Sequence, residues 1–311
     1  MATSARWDRL GDKERRYQAR QMEVYAAMAE AMDHHVGRLV AHLKAIGHYD
    51  NTVFLFLSDN GPEGSDYAQA QPWLVTQYSQ HIDRLGGPGG YGIAGPGWAS
   101  ASAAPLDTYK FYAGEGGLRV PLIIAGLPGM AQNRIAPGFT HVNDIVPTVL
   151  DIAGLTHPGT RYRDQPVEPL TGRSLLPVLT GQASAVHPPQ APIGYELSGS
   201  AALFKGRFKL VRNLPPVGDG DWHLFDLEAD PGETQDLRAQ QPEQFAAMQR
   251  DYAHYAAANG VLPMPVGYDP TWQVTINSLH SYWIPAYRFH ALAALAAAAV
   301  LVVWSWRRRR P

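Results

Sequence analysis

The chain contains no cysteine, so disulfides, thiolate metal sites and cysteine nucleophiles are excluded within its 311 residues. It also lacks a strong charge bias. Its 26 Lys and Arg face 28 Asp and Glu, for a formal charge of −2, which argues against a nucleic-acid partner. No internal repeat is visible. The opening run Met1-Ala2-Thr3-Ser4-Ala5-Arg6-Trp7 has no apolar core of signal-peptide type, so no amino-terminal export is expected from the sequence as written. Long apolar runs are missing until the carboxyl end. There Ala291 to Trp306 is apolar apart from Ser305, and Arg307–Arg310 follow. As a helix this stretch would reach about 24 Å, against a hydrocarbon core of about 30 Å. Trp283, Tyr287 and Phe289 would lengthen it with interfacial aromatics. The expectation is a candidate membrane helix over 284–306. Its arginines would stay cytoplasmic and the globular part would be periplasmic or extracellular.

What is present starts with Val53-Phe54-Leu55-Phe56-Leu57-Ser58, which runs into Asp59-Asn60-Gly61-Pro62. An apolar run without alternation predicts a strand covered on both faces, as in a parallel sheet. Ligands of open α/β sheets sit beyond the carboxyl ends of the strands. Asp59 and Asn60 are two hard oxygen donors at such an edge, suited to Ca²⁺ or Mg²⁺. A strand closed by an Asx-type turn is the blander reading of the same residues.

Helical spacing through Met22, Tyr25, Met28, Met32, Val36, Leu39, Val40 and Leu43 predicts one or two amphipathic helices over 12–47, stopped at Gly47. Residues 61–108 read as a long loop rich in turn residues, including Gly95-Pro96-Gly97-Trp98. Val120 to Gly126 is a second buried-strand pattern. Asp144 caps an expected helix through Ile145 to Ala153, which Gly154 closes. This order favours α/β architecture for the first half. Beyond residue 192, Ala201–Lys205, Phe208–Val211 and Trp222–Leu227 read as short antiparallel strands, and 234–258 resumes helical spacing. The expected divisions are 1–192, a small α+β subdomain at 193–262, and a tail at 263–311.

Lys110 precedes Gly114-Glu115-Gly116-Gly117-Leu118-Arg119. The glycines allow tight turns, and a lysine at the same sheet edge is a compact positive charge for an oxyanion. The glycines do not make a dinucleotide fingerprint, because Arg119 takes the last glycine position and a strand follows instead of a helix.

In this order the stretches VFLFLSDNGPEG, GPGWASASAAPLDTYKFYAGEGGLRVPLII, HVNDIVPTVLDIAG, KGRFKLVR and WHLFDLEADPGETQDL resemble the sulfatase family of the alkaline-phosphatase-like superfamily. The match is to the carboxyl-terminal part of bacterial arylsulfatases, over roughly residues 15–262. The resemblance implies part of an alkaline-phosphatase-like sheet with flanking helices, followed by a small antiparallel α+β unit and an apolar carboxyl-terminal helix. It implies that Asp59 and Asn60 complete a Ca²⁺ site and that Lys110 binds the sulfate group of an ester substrate. A divalent cation with a lysine suits the charge on the non-bridging oxygens.

The chain departs from that family as well. It has no Cys/Ser-x-Pro-Ser-Arg motif from which a formylglycine could be made. The family's amino-terminal paired aspartates have no counterpart, nor do its upstream Lys and His contacts to sulfate and leaving oxygen. His34, His35, His48 and His81 are bases without a nucleophile's setting, and His141 lies in a packing segment. Glu63, Asp66 and Glu115 are expected as solvated loop residues.

The leading expectation is a sulfuric ester hydrolase portion, inactive alone, with its nucleophile on a separate chain carrying the first half. A non-catalytic membrane-tethered module and a phosphonate or phosphodiester hydrolase are the alternatives. Strands 53–58 and 121–125 are expected to be left partly uncovered.

Overall fold

The computed structural model describes residues 6–65, 77–130, 133–215 and 217–308. Asp66 lies outside them. Helical spacing at the amino end resolves as one helix, α1 (Asp12–Ala45). The Glu14 side chain accepts from the Gly11 N–H at 2.9 Å, closing its first turn. Gly47 ends it at φ +73°, a conformation glycine adopts without strain. Most of the apolar stripe of α1 faces outward: Tyr25, Met28, Met32, Val36 and Leu39 are all exposed.

β1 (Phe54–Leu57) and β2 (Leu122–Ala125) fall where the sequence places strands, but they pair antiparallel as a two-stranded sheet. The expected parallel direction is corrected, whereas β1 is half-buried to exposed along its length, in line with the expectation that these strands are left partly uncovered. An unalternating apolar run signals that both faces want cover. It carries no information about strand direction.

Within the expected 61–108 loop the chain forms α2 (Gly95–Ala103). Pro96 is compatible with a helix because it occupies the first turn, where its missing N–H is not needed. Trp98 Nε1 donates to the Gln18 carbonyl at 2.9 Å, fastening α2 to α1. A single turn, α3 (Glu115–Leu118), precedes β2. α4 (Ile145–Ile152) follows Asp144 as expected, and Gly154 sits past its end at φ +64°. The buried Asp144 accepts from the N–H groups of His141 and Arg173, both at 2.8 Å, and pairs with His187 Nε2 at 2.8 Å. Its side chain makes no cap bond to α4, so the expected cap is corrected: the carboxylate instead ties together the stretches around His141, Arg173 and His187.

Two-residue β3 (Arg161–Tyr162) and β4 (Gln165–Pro166) and the turn α5 (Leu176–Leu179) lead to a four-stranded antiparallel meander. Its strands are β5 (Ile193–Leu197), β6 (Ser200–Lys205), β7 (Phe208–Arg212) and β8 (His223–Asp226). Ser198 and Gly199, both at positive φ, make the two-residue β5–β6 turn, a backbone geometry that suits the right-handed twist of the flanking strands. Alternation gives the sheet two apolar faces. Leu203, Leu210 and Leu224 pack with Met248 of α6 (Pro242–Ala258). Phe204, Val211 and Phe225 pack on the other side against Ala113, which belongs to the stretch between Lys110 and β2.

α7 (Pro270–Ser278) passes through a π-type turn at Leu279–Trp283 into α8 (Ile284–Arg308). Among the described residues no helix is long and apolar enough to cross a membrane. The expectation of a membrane helix over 284–306, with the globular part periplasmic or extracellular, is thereby overturned. Arg288 and His290 interrupt the apolar run, and alanine, its main residue, gains little from leaving water.

Candidate functional site

Antiparallel pairing sets the carboxyl end of β1 beside the entry to β2. The Asp59-Asn60 turn and the glycine turn after Lys110 therefore meet at one end of this small sheet. Ser58 N–H continues the ladder to the Pro121 carbonyl at 3.3 Å, and Gly61 N–H donates to the Gly117 carbonyl at 2.9 Å. A Cβ on Gly61 would stand 1.9 Å from the Gly116 carbonyl oxygen, so only glycine permits this approach. The Lys110 N–H donates to the Pro62 carbonyl at 3.1 Å, three residues beyond Asp59.

Within the turn, Ser58 Oγ donates to the Asn60 carbonyl and Asn60 Nδ2 to the Gly61 carbonyl, both at 2.9 Å. One of the amide's two donors is thereby used and its oxygen remains an acceptor. Asp59 is exposed, and among the described residues nothing engages its carboxylate. The two side chains are hard oxygen donors, right in kind for Ca²⁺ or Mg²⁺ but short of the six to eight oxygens that Ca²⁺ takes. Among the described residues no three His, Asp or Glu gather as a metal site.

Lys110 is not a free amine. Its Nζ lies 2.8 Å from Glu63 Oε2, and Glu63 Oε1 accepts from the Ser65 N–H at 2.8 Å. Burial by itself would raise the Glu63 pKa, but the hydrogen bonds from Lys110 and Ser65 outweigh it, so the net shift is downward. Glu63 is therefore the partner of the proposed anion ligand and not the solvated loop residue expected. An arriving anion must compete with it for the ammonium group.

Glu115 also departs from its solvated reading. It is buried and bonds Lys209 Nζ through Oε1 at 2.9 Å. Lys209, fully buried on β7, lies equally 2.9 Å from Glu233 Oε1 as an ion pair. Glu233 Oε2 in turn accepts from the Glu115 N–H at 2.6 Å. Burial is the main influence on Glu233 and pushes its carboxyl up, with Lys209 holding it back in part. This knot ties the four-stranded sheet to the stretch that carries Lys110. The sequence did hold a signal for it: in Phe208-Lys209-Leu210-Val211 the lysine occupies the face of Val211, an apolar side of the strand.

A family model described as Sulfatase matches residues 3–155, which include Asp59, Asn60 and Lys110. An uncharacterized sulfatase of Schizosaccharomyces pombe is 36% identical over 83% of this chain and 47% of its own length. The arylsulfatase of Klebsiella aerogenes is 35% identical over 54% of this chain and 37% of its own. The chain thus spans less than half the length of these relatives. Among solved structures, Ps i-CgsB in complex with k-i-k-neocarrahexaose superposes with a TM-score of 0.53 at 23% identity, covering 75% of this chain and 42% of that one. That likeness concerns the fold, which is alkaline-phosphatase-like with mixed helix and antiparallel sheet. The family model's span and the long alignment to the fission-yeast relative agree along the site-bearing stretch, and the chain belongs to the sulfatase family.

Proposed function

We propose that this chain supplies one part of a sulfuric ester hydrolase site, with the nucleophile on polypeptide outside these 311 residues. One observation carries the reading: the Lys110 N–H bond to Pro62 and the Gly61–Gly117 bond bring an amine and an acid–amide pair to one end of β1 and β2. In this reading Lys110 exchanges Glu63 for the substrate's sulfate and neutralises charge on its non-bridging oxygens. Glu63 holds the ammonium in place until the anion arrives. Asp59 and Asn60 contribute oxygens to a divalent cation, Ca²⁺ in the family pattern, completed by ligands from elsewhere. Bound there, the cation would act as a Lewis acid toward the sulfate oxygens. Residues 1–192 then form the site-bearing α/β portion, 193–262 a small α+β unit and 263–311 a tail.

The test is an assay on a chromogenic aryl sulfate ester. The purified chain should give no turnover above background, with or without calcium. When a sulfatase amino-terminal segment is supplied and activity appears, Lys110→Ala should lower kcat/KM by roughly 10²-fold or more. Calcium-dependent turnover by the chain alone, or restored activity indifferent to Lys110→Ala, overturns the assignment.

A further inference from the structure

Phe111 stands next to Lys110 in a conformation that a bulky side chain rarely adopts. Its φ is +80°, in the left-handed region that glycine occupies freely. Hydrogen bonds on both sides hold it there. The Lys110 N–H donates to the Pro62 carbonyl at 3.1 Å, the Tyr112 N–H to the Tyr109 carbonyl at 3.2 Å, and the Ala113 N–H to Asn213 Oδ1 at 2.7 Å. Tyr109 and Tyr112 are buried and pack edge to face, with ring centroids 5.5 Å apart. Phe111 is only half-buried and belongs to none of the buried apolar clusters among the described residues. Core packing therefore does not account for the strained backbone. Strain of this kind gathers at functional sites, where the surrounding structure over-determines it.

The conformation sets an aromatic ring beside the amine of the site. Lys110 Nζ lies over the Phe111 ring, 5.2 Å from its centroid, and 2.8 Å from Glu63 Oε2. An anion that displaces Glu63 would approach the same nitrogen to about 2.8 Å. The organic group on its ester oxygen then begins within reach of the Phe111 ring, since aromatic pairs form at centroid separations of about 4.5–7 Å. We infer that Phe111 is a specificity-determining residue, which favours sulfate esters of flat, ring-bearing groups over open-chain esters by packing on the ring next to the ester oxygen. The inference rests on the reading of Lys110 as a sulfate ligand and adds a contact on the organic side of the substrate. A ring that served only to hold the ammonium group by cation–π attraction would act alike on every sulfate and create no preference among esters.

The experiment is an NMR titration of the full purified chain, with phenylalanine ring signals assigned by comparison with Phe111→Gly. Phenyl sulfate, n-butyl sulfate and inorganic sulfate are added separately in the presence of calcium. Phenyl sulfate should bind about three- to tenfold more tightly than n-butyl sulfate, and its ring current should move the Phe111 signals. Phe111→Gly, a residue that suits the left-handed backbone, should erase this preference and leave the affinity for inorganic sulfate as it was. Phe111→Trp should restore the preference. Equal affinity for the two esters, a preference that survives Phe111→Gly, or a loss shared equally by inorganic sulfate overturns the inference and leaves Lys110 as the sulfate ligand. If inorganic sulfate does not bind, or binds Lys110→Ala equally well, the functional reading fails and this inference falls with it.

Discussion

The β5–β8 meander and the β1–β2 pair are made of similar residues and have opposite fates. In the meander, Leu203, Leu210 and Leu224 are buried completely beneath Met248 of α6, and Phe204, Val211 and Phe225 are covered from the other side by the stretch around Ala113. In the pair, Phe56 and Ile123 meet each other and then solvent. Sequence hydrophobicity is therefore a poor guide to where stability resides, because burial requires a second layer and only the meander has one on each face. The meander brings its own helix in the next thirty or so residues. The pair's cover is not among the described residues.

The strongest way to break this contrast is to attack the knot that joins the two regions. Lys209→Met leaves Glu115 and Glu233 buried together without a cation and should destabilise the sheet by about 3–5 kcal/mol, measured by urea denaturation. Adding Glu115→Gln and Glu233→Gln to Lys209→Met should return most of that loss. If it does not, the lysine matters for packing more than for charge.

Paired truncations probe the contrast directly. Leu210→Ala removes a fully buried side chain and should cost about 3 kcal/mol. Ile123→Ala on the exposed pair should cost under about 0.5 kcal/mol. Equal losses at the two sites would mean that the pair is as well covered as the meander in solution.

The smallest effect concerns the meander's rim. His223 bonds Asp219 and Asp236, each at 2.9 Å. Burial alone would lower its pKa, but the two carboxylates more than offset this and the net shift is upward. Its contribution is therefore fully present below the ordinary histidine value of about 6.5, and it fades as pH rises through the higher folded value. An NMR titration of the His223 ring should show a raised midpoint that Asp236→Asn brings down. A midpoint unmoved by Asp236→Asn would remove this pair from the account.

Much of this architecture was legible in the sequence. Short strand-like runs bounded by turn residues revealed β6, β7 and β8, and the start at Asp144 and the stop at Gly154 marked the extent of α4, although the Asp144 side chain does not cap it. The direction of β1 and β2 was not legible, because pairing is decided by non-local neighbours that an apolar run does not specify. α2 was hidden by Gly95-Pro96-Gly97, residues that usually break helices and here only begin one. At the site, the positions of Asp59, Asn60 and Lys110 could be named from their order. The Glu63 partner could not, since a loop glutamate looks solvated until its neighbours are known. Glu115 failed for the same reason, lying 94 residues from its lysine.

The crowding at Gly61 constrains how such a site can change. With the Gly116 carbonyl oxygen 1.9 Å from where a methyl group would be, the turn bearing the acid–amide pair and the turn following the amine are locked along one seam. Sequence drift cannot move one without carrying the other. Any change in what this end of the sheet accepts must therefore come from the residues around this seam, while the seam itself stays fixed.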